Sequence, residues 1–151
     1  MGSRPSGRHE RRTLSLVLVT TLAAGACSDD AGEGGGRVGP LVVAAGPNTS
    51  GEDADISGRL VRPEPDACIG LASAGGTDRP TGLVWPPGTT WSGEDGAIVV
   101  DGTTFTVGDE VRGAGGHHSA DGPAGPELTA DVLAAVRDCG WDDFANLDRL
   151  D

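Results

Sequence analysis

Short apolar runs, separated by turns rich in glycine and proline, recur over residues 55–114 and favour β-strands over long helices. The clearest run is AIVVDGTTFTV, in which Asp101 and Gly102 suit a tight hairpin turn between two β-branched segments. The same pattern predicts strands over residues 56–62, 67–72, 81–85, 97–100, 103–107 and 110–114. This number of short strands is typical of a small barrel or sandwich.

One helix is predicted near residues 128–139, with Thr129 placed to cap its start and Gly140 to end it. Its apolar residues recur at intervals of three and four, which puts them on one helical face: Leu128, Val132, Ala135, Val136 and Cys139. The tail after this helix keeps large apolar residues three positions apart, which predicts a further short helical turn: Trp141, Phe144 and Leu147.

Residues 1–27 have a basic start, an uncharged middle and a cysteine at the end. Four arginines precede the 14 uncharged residues TLSLVLVTTLAAGA, which are fewer than the roughly 20 that a membrane-spanning helix needs. A basic head, a short apolar core and small residues before a cleavage site are the features of an export signal. Here the small residues Ala24, Gly25 and Ala26 lead directly to Cys27.

This segment resembles the lipobox of bacterial lipoproteins. The resemblance implies that residues 1–26 are a signal peptide, that Cys27 receives a diacylglyceryl group, and that the exported chain is held by its acyl chains in the outer face of the cell membrane. Most lipoboxes have leucine three positions before the cysteine, where this chain has Ala24. A plain secretory signal cleaved before an unmodified Cys27 is the alternative.

Charge excludes several functions. The chain has 23 acidic residues and 11 basic ones, and every basic residue is arginine. Without lysine there is no Schiff base and no P-loop lysine. Removal of residues 1–26 would leave a net charge of −15, which disfavours nucleic acid as a partner.

Residues 27–54 are rich in glycine, acidic residues and serine, and predict a flexible linker. Residues 41–43, Leu-Val-Val, are the exception, because they suit a short strand; Gly-Pro pairs on both sides favour the linker instead. The predicted organisation is therefore a signal peptide over 1–26, a lipidated linker over 27–54 and a folded domain over 55–151.

Cys68 and Cys139 are predicted to form a disulfide, because export exposes both thiols to an oxidising compartment. Two buried free thiols or a metal pair are the alternatives, and the spacing lacks the Cys-x-x-Cys pattern of a zinc site.

The segment GGHHSAD brings a base, a nucleophile and a carboxylate together in sequence: His117, His118, Ser119 and Asp121. Neighbouring residues of one loop point in different directions, whereas catalytic triads converge from separate parts of a fold. A solvated loop is the favoured interpretation, with a small hydrolase or weak metal contact through His117, His118 and Asp121 as alternatives. No catalytic residue, metal site or cofactor is assigned.

Two further sets of residues are candidates for binding. The acidic pairs Glu94-Asp95, Asp109-Glu110 and Asp142-Asp143 offer oxygen ligands for a cation such as calcium, although the EF-hand spacing is missing. Trp85 and Trp91 are weak ligand-binding candidates, because they flank a proline-rich turn. The alternative places one tryptophan in the core and the other over it.

The all-arginine basic content and the richness in alanine, glycine and aspartate resemble the small lipoproteins of high-GC Gram-positive bacteria. The segments LVWPPGTT and VGDEVRGAGG are similar to those of an uncharacterised class of small OB-like barrels. The resemblance implies a mainly β fold, a five- to six-stranded OB-like barrel with a C-terminal α-helix. The expected function is a non-enzymatic module that binds an envelope protein, a glycan or a small ligand. A calcium-type cation-binding domain and a small hydrolase are the alternatives.

Overall fold

The computed structural model describes residues 34–47, 53–72, 79–123 and 125–151. The predicted signal peptide and Cys27 lie outside these residues. The described part contains one helix, α1 (Ala130–Asp138), which lies between the last two strands of the chain. Its strands are β1 Gly36–Val38, β2 Leu41–Val43, β3 Ala54–Val61, β4 Gly70–Ala72, β5 Gly82–Trp85, β6 Thr90–Ser92, β7 Ala97–Val100, β8 Thr103–Thr106, β9 Glu110–Ser119 and β10 Asp143–Leu150.

Two sheets organise these strands. The larger is a mixed sheet in the order β1-β2-β5-β10-β9-β3-β4, and the smaller is the antiparallel sheet β6-β7-β8. Within the larger sheet β5 runs parallel to both β2 and β10, while the remaining neighbours are antiparallel. The three parallel strands therefore bring their carboxyl ends to one edge of the sheet.

The larger sheet is covered on both faces, so its central strands are apolar throughout. In β2, Leu41 and Val43 belong to the core shared with Ile98 of the smaller sheet. Val42, between them, belongs to the core formed with Val132 and Val136 of α1. Successive side chains of β2 therefore enter two different cores, one on each face of the larger sheet. The fold has three layers: the helix, the larger sheet and the smaller sheet.

The larger sheet is rolled but open. Leu71 of β4 and Thr81, the residue before β5, exchange two backbone hydrogen bonds of 2.8 Å, and Ile69 donates one of 2.9 Å to the carbonyl of Pro40. These contacts are single bridges, and no continuous ladder joins β4 to β5. The chain is mainly β, as predicted, but the closed barrel of five to six strands does not form.

The hairpin predicted from AIVVDGTTFTV is confirmed. Its strands are β7 and β8, paired in register from Val100 with Thr103. Asp101 and Gly102 have φ angles of 47° and 81°, the left-handed values that this turn requires. The strands predicted at 56–62, 67–72, 81–85 and 110–114 correspond to β3, β4, β5 and β9, although β9 continues to Ser119.

The predicted linker differs from the structure over residues 36–43. These residues form β1 and β2, and the side chains of Leu41, Val42 and Val43 are fully buried. The glycines that suggested a linker instead permit a tight hairpin. Gly39, in the turn, has a φ of 56°, and a Cβ there would lie 2.5 Å from the Trp91 ring. The folded part therefore begins before residue 55.

The predicted helical turn after residue 141 is wrong. Residues 143–150 form β10, the central strand of the larger sheet, between β5 and β9. Phe144, Ala145, Asn146 and Leu147 are all buried, so the strand shows no polar alternation and the three-residue spacing of its largest side chains is coincidental. Burial between two neighbouring strands overrides the local pattern.

Helix α1 and the disulfide agree with the sequence. The helix buries Val132, Ala135 and Val136, and Thr129 is its N-cap residue, although the threonine hydroxyl donates to the carbonyl of Gly34 at 3.3 Å rather than to the helix. Cys68 and Cys139 are bonded, with their Cα atoms 5.6 Å apart. The bond ties the segment before β4 to the end of α1. No helix in the described residues has both the length and the apolar character needed to cross a bilayer.

Candidate functional site

The residues of the segment GGHHSAD do not converge. His117, His118 and Ser119 belong to β9, where successive side chains point to opposite faces. His118 stacks on the ring of Phe144, with ring centroids 5.4 Å apart, on the side of the sheet that α1 covers. His117 pairs with Ala145, which belongs to the opposite core. The two histidines therefore face different layers.

Ser119 and Asp121 also have separate surroundings. The Ser119 hydroxyl donates to the carbonyl of Asp142 at 3.4 Å, and the Asp121 carboxylate lies 3.8 Å from the Arg137 guanidinium. The residues of the hydrolase hypothesis therefore have different partners and do not form one catalytic group. No group of three His, Cys, Asp or Glu side chains within the described ranges is arranged to hold a metal ion.

In two of the acidic pairs, one carboxylate stabilises a turn. The Asp109 carboxylate accepts hydrogen bonds from the Thr106 amide at 2.7 Å and from its hydroxyl at 3.0 Å. Asp95 accepts one from the Ser92 hydroxyl at 3.2 Å. Each carboxylate thus bonds within its own turn, as Asp commonly does.

Trp85 and Trp91 divide between the core and its edge. Trp85 is 0% exposed and packs on Phe105 with ring centroids 6.2 Å apart, so it offers no surface to a ligand. Trp91 is half-buried and packs against the same core above Gly39. This is the arrangement that the sequence offered as the alternative to a ligand groove.

Two cavities lie on the antiparallel side of the larger sheet. One, of about 220 Å³, includes His117, Asp55, Ser57 and Thr81 at its rim. The other is an open groove of about 340 Å³ that includes Arg59, Glu110 and Arg112, where Glu110 and Arg112 lie 3.9 Å apart. The polar side chains of both cavities are exposed or half-buried, and neither cavity contains a buried polar group without a partner among the described residues.

A third cavity, which we call the Asn146 cavity, lies at the carboxyl ends of β2 and β5, beside the middle of β10. It has a volume of about 190 Å³ and is lined by Ala44, Gly46, Pro47, Pro86, Pro87, Asp101, Asn146, Leu147 and Asp148. Ala44 and Pro86 directly follow β2 and β5, and Asn146 lies in β10. Ligands of α/β proteins bind outside the carboxyl ends of parallel strands, because the chain leaves the sheet there and opens a crevice.

Asn146 is the central feature of this cavity. Its side chain is 1% exposed, its amide nitrogen donates to the Asp148 carboxylate at 3.5 Å, and its amide oxygen has no hydrogen-bond partner among the described residues. A buried amide oxygen without a partner costs about 1–3 kcal/mol. Native proteins keep few such groups, and they concentrate where a ligand or water completes the hydrogen bonding.

The strand β10 is irregular next to Asn146. Its register against β9 shifts between Leu147 and Arg149, which makes Asp148 the extra residue of a bulge. On β9 the shift coincides with Gly113 and Gly115, where an added Cβ would collide with the carbonyls of Arg149 and Asn146. Bulges of this kind redirect a side chain and are common beside functional sites. Here the bulge places Asp148 on the cavity wall beside Asn146.

No local sequence signal identifies the Asn146 cavity. Asn146 lies in a segment that the spacing of apolar residues assigned to a helical turn, and the cavity exists only because β2, β5 and β10 pair in parallel. The indication available in the sequence was an amide in the middle of an apolar stretch, DFANLDRL. The proline-rich turn between Trp85 and Trp91 lines the cavity through Pro86 and Pro87, and neither tryptophan does.

A second buried polar side chain lies near the start of α1 but outside this cavity. Glu127 is 1% exposed, and neither carboxylate oxygen has a hydrogen-bond partner within the described part of the chain. Its carbonyl accepts a hydrogen bond of 3.1 Å from the Ala45 amide, which fixes the helix start against the end of β2. The carboxyl group packs directly against Gly125.

No protein-family model, curated protein or solved structure matches the chain. Its class is therefore defined by the fold described above: a mainly β protein with an open mixed sheet, one covering helix and a small second sheet.

Proposed function

We propose that the chain is a lipid-anchored, non-enzymatic binding module of the cell envelope, with the Asn146 cavity as its ligand site. One observation carries the binding part: the Asn146 amide oxygen is buried without a hydrogen-bond partner among the described residues, beside the carboxyl ends of β2 and β5. The anchoring part is supported by the lipobox-like sequence that ends at Cys27. The Cys68–Cys139 disulfide supports export, because such bonds persist in oxidising compartments.

A glycan or another small ligand fits this site better than a protein surface does. Protein-binding surfaces are centred on apolar patches of several hundred Å². Among the described residues Val107 is the one large hydrophobic side chain that is exposed, at 45%. The Asn146 cavity is concave and combines an apolar wall of prolines with the polar residues Asp101, Asn146 and Asp148, which suits a single sugar residue of an envelope polymer.

Binding is tested by co-sedimentation of the full chain with purified cell-wall glycan. We expect the native chain to sediment with the glycan and the Asn146→Leu variant to remain in the supernatant, because leucine has the same branching and number of non-hydrogen atoms but no hydrogen-bonding group. Ser57→Ala is the matched control, since Ser57 lines the two cavities on the antiparallel side of the sheet and not this one. Absence of sedimentation, or its loss in the Ser57 variant alone, would contradict the proposal.

Anchoring is tested separately at Cys27. We expect the Cys27→Ser variant to lose incorporation of a fatty-acid probe in cells and to leave the membrane fraction. The two acyl chains of a diacylglyceryl group anchor a protein stably, and serine at position 27 would carry neither. Ser28→Ala, one residue further on, is expected to keep both the label and the membrane location. Unchanged labelling of Cys27→Ser would show that the cysteine is not the acylation site.

A further inference from the structure

The open groove of about 340 Å³, which we call the arginine groove, lies on two neighbouring antiparallel strands. Its charged side chains are Arg59 of β3 and Glu110 and Arg112 of β9. They share one face of the sheet, because Arg59 pairs with Glu110 and Ser57 pairs with Arg112. Arg59 and Arg112 are therefore diagonal neighbours, with Cβ atoms about 7–8 Å apart, a separation that two long side chains can span.

These two arginines differ from the others in their partners. Of the seven arginines in the described ranges, five are engaged within the protein. Four of the five donate hydrogen bonds of 2.8–3.0 Å to carbonyl or carboxylate oxygens, and the fifth, Arg79, has another partner: Arg37, Arg62, Arg137 and Arg149. Arg59 forms neither a hydrogen bond nor an ion pair with any described residue, although Glu110 is directly opposite.

Arg112 is only loosely engaged. Its guanidinium lies 3.9 Å from the Glu110 carboxylate, a distance that is too long for a hydrogen bond. The Arg112 and Glu110 side chains are 72% and 65% exposed, so a ligand reaches them without any movement of the sheet. The two arginines that make no hydrogen bond within the described residues thus lie side by side in one groove.

The charge of the groove selects an anion. Two guanidinium groups line it against one carboxylate, in a chain whose formal net charge is −12. A cation would meet two like charges, and a neutral ligand would leave both guanidinium groups to water. A carboxylate or phosphate group instead accepts charge-assisted hydrogen bonds, and the planar fork of each guanidinium matches two of its oxygen atoms.

We propose that the arginine groove binds the oxyanion of a small ligand, a carboxylate or a phosphate, between the guanidinium groups of Arg59 and Arg112. Glu110, beside both arginines, limits the affinity of the groove for anions. The groove shares no lining residue with the Asn146 cavity, so it is a second site that does not depend on the proposed function.

The test compares three sugars that differ at one carbon atom. Binding of glucose, glucuronate and glucose 6-phosphate to the full chain is measured by isothermal titration calorimetry at low salt. We expect one of the two anions to bind with a stoichiometry of one and about fivefold or more tightly than glucose, with an affinity that falls as salt is added. Tighter binding of glucuronate assigns the groove to carboxylates, and tighter binding of glucose 6-phosphate to phosphates. Equal affinity for all three sugars, or no binding of either anion, overturns the proposal.

Matched arginine variants locate the binding. Arg59→Gln and Arg112→Gln each remove one positive charge from the groove, and Arg37→Gln removes one from β1, at the other edge of the larger sheet. The affinity for the anion is expected to fall about fivefold or more in the first two variants and to remain unchanged in the third. An equal fall in all three would assign the binding to overall charge and overturn the proposal.

A substitution at Glu110 tests the opposite direction. Glu110→Gln removes the one carboxylate of the groove, and we expect it to raise the affinity for the anion by about threefold. Asp66→Asn removes the same charge in an exposed turn, away from the groove, and is expected to leave the affinity unchanged. An unchanged or lower affinity of the Glu110 variant would contradict binding between the two arginines.

Discussion

Removal of the disulfide is expected to lower the free energy of unfolding by about 4 kcal/mol. Cys68 and Cys139 are separated by 71 positions, and closing so long a loop removes much of the conformational entropy of the unfolded chain. The bond also joins the segment before β4 to α1, at the place where the rolled sheet has only single bridges. Urea denaturation of the full chain and of the Cys68→Ala/Cys139→Ala variant measures the difference.

The same comparison contains its own control. A reducing agent should destabilise the native chain by the amount that the double substitution does, and should leave the double variant unaffected. A change below about 1 kcal/mol in either experiment would mean that the core around α1 holds without the bond, and that the stabilisation expected for a loop of this length is absent.

The Trp85→Ala variant is expected to lose about 3–5 kcal/mol of stability, the range for truncating a large buried aromatic side chain. Trp85 has no exposed surface, and it contacts Phe105 between the two sheets. Truncation leaves a cavity that the surrounding strands cannot fill without shifting. Circular dichroism during urea denaturation reports the loss without depending on the tryptophan signal.

Trp85→Phe is the matched variant. The indole nitrogen has no hydrogen-bond partner among the described residues, so a smaller ring loses no hydrogen bond and keeps the contact with Phe105. We expect a loss below about 1.5 kcal/mol and unchanged binding of cell-wall glycan. If Trp85→Ala hardly lowered the free energy of unfolding, or if Trp85→Phe abolished glycan binding, Trp85 would contact the ligand rather than stabilise the core.

Local signals predicted the parts of the fold that local interactions determine. The turn at Asp101 and Gly102 needs left-handed backbone angles, and the sequence supplies residues that tolerate them. The face of α1 follows from residue spacing within nine positions. The pairing of Cys68 with Cys139 followed from the redox compartment and the number of cysteines rather than from geometry.

The strands β2 and β10 and the Asn146 cavity were not predicted, because they depend on pairing between segments that are distant in the sequence. The Gly-Pro pairs on both sides of β2 are typical of a flexible linker, so the local sequence does not predict this strand. Its burial depends on pairing with β5, some 40 positions later. Strand β10 was assigned to a helical turn because Phe144 and Leu147 match helical spacing. The Asn146 cavity needs both strands in place, so the candidate site was hidden for the same reason as the strands.

The central position of β10 has a consequence for the order of events during biosynthesis. Strands β1, β2 and β5 lie on one side of it and β9, β3 and β4 on the other, so residues 143–150 supply the continuous pairing between two ribbons that otherwise meet through single bridges such as Leu71–Thr81. A nascent chain that has not yet reached residue 150 on the ribosome holds two unfinished ribbons with unpaired edges. The larger sheet can therefore complete its central pairings only after residues 143–150 have been synthesised.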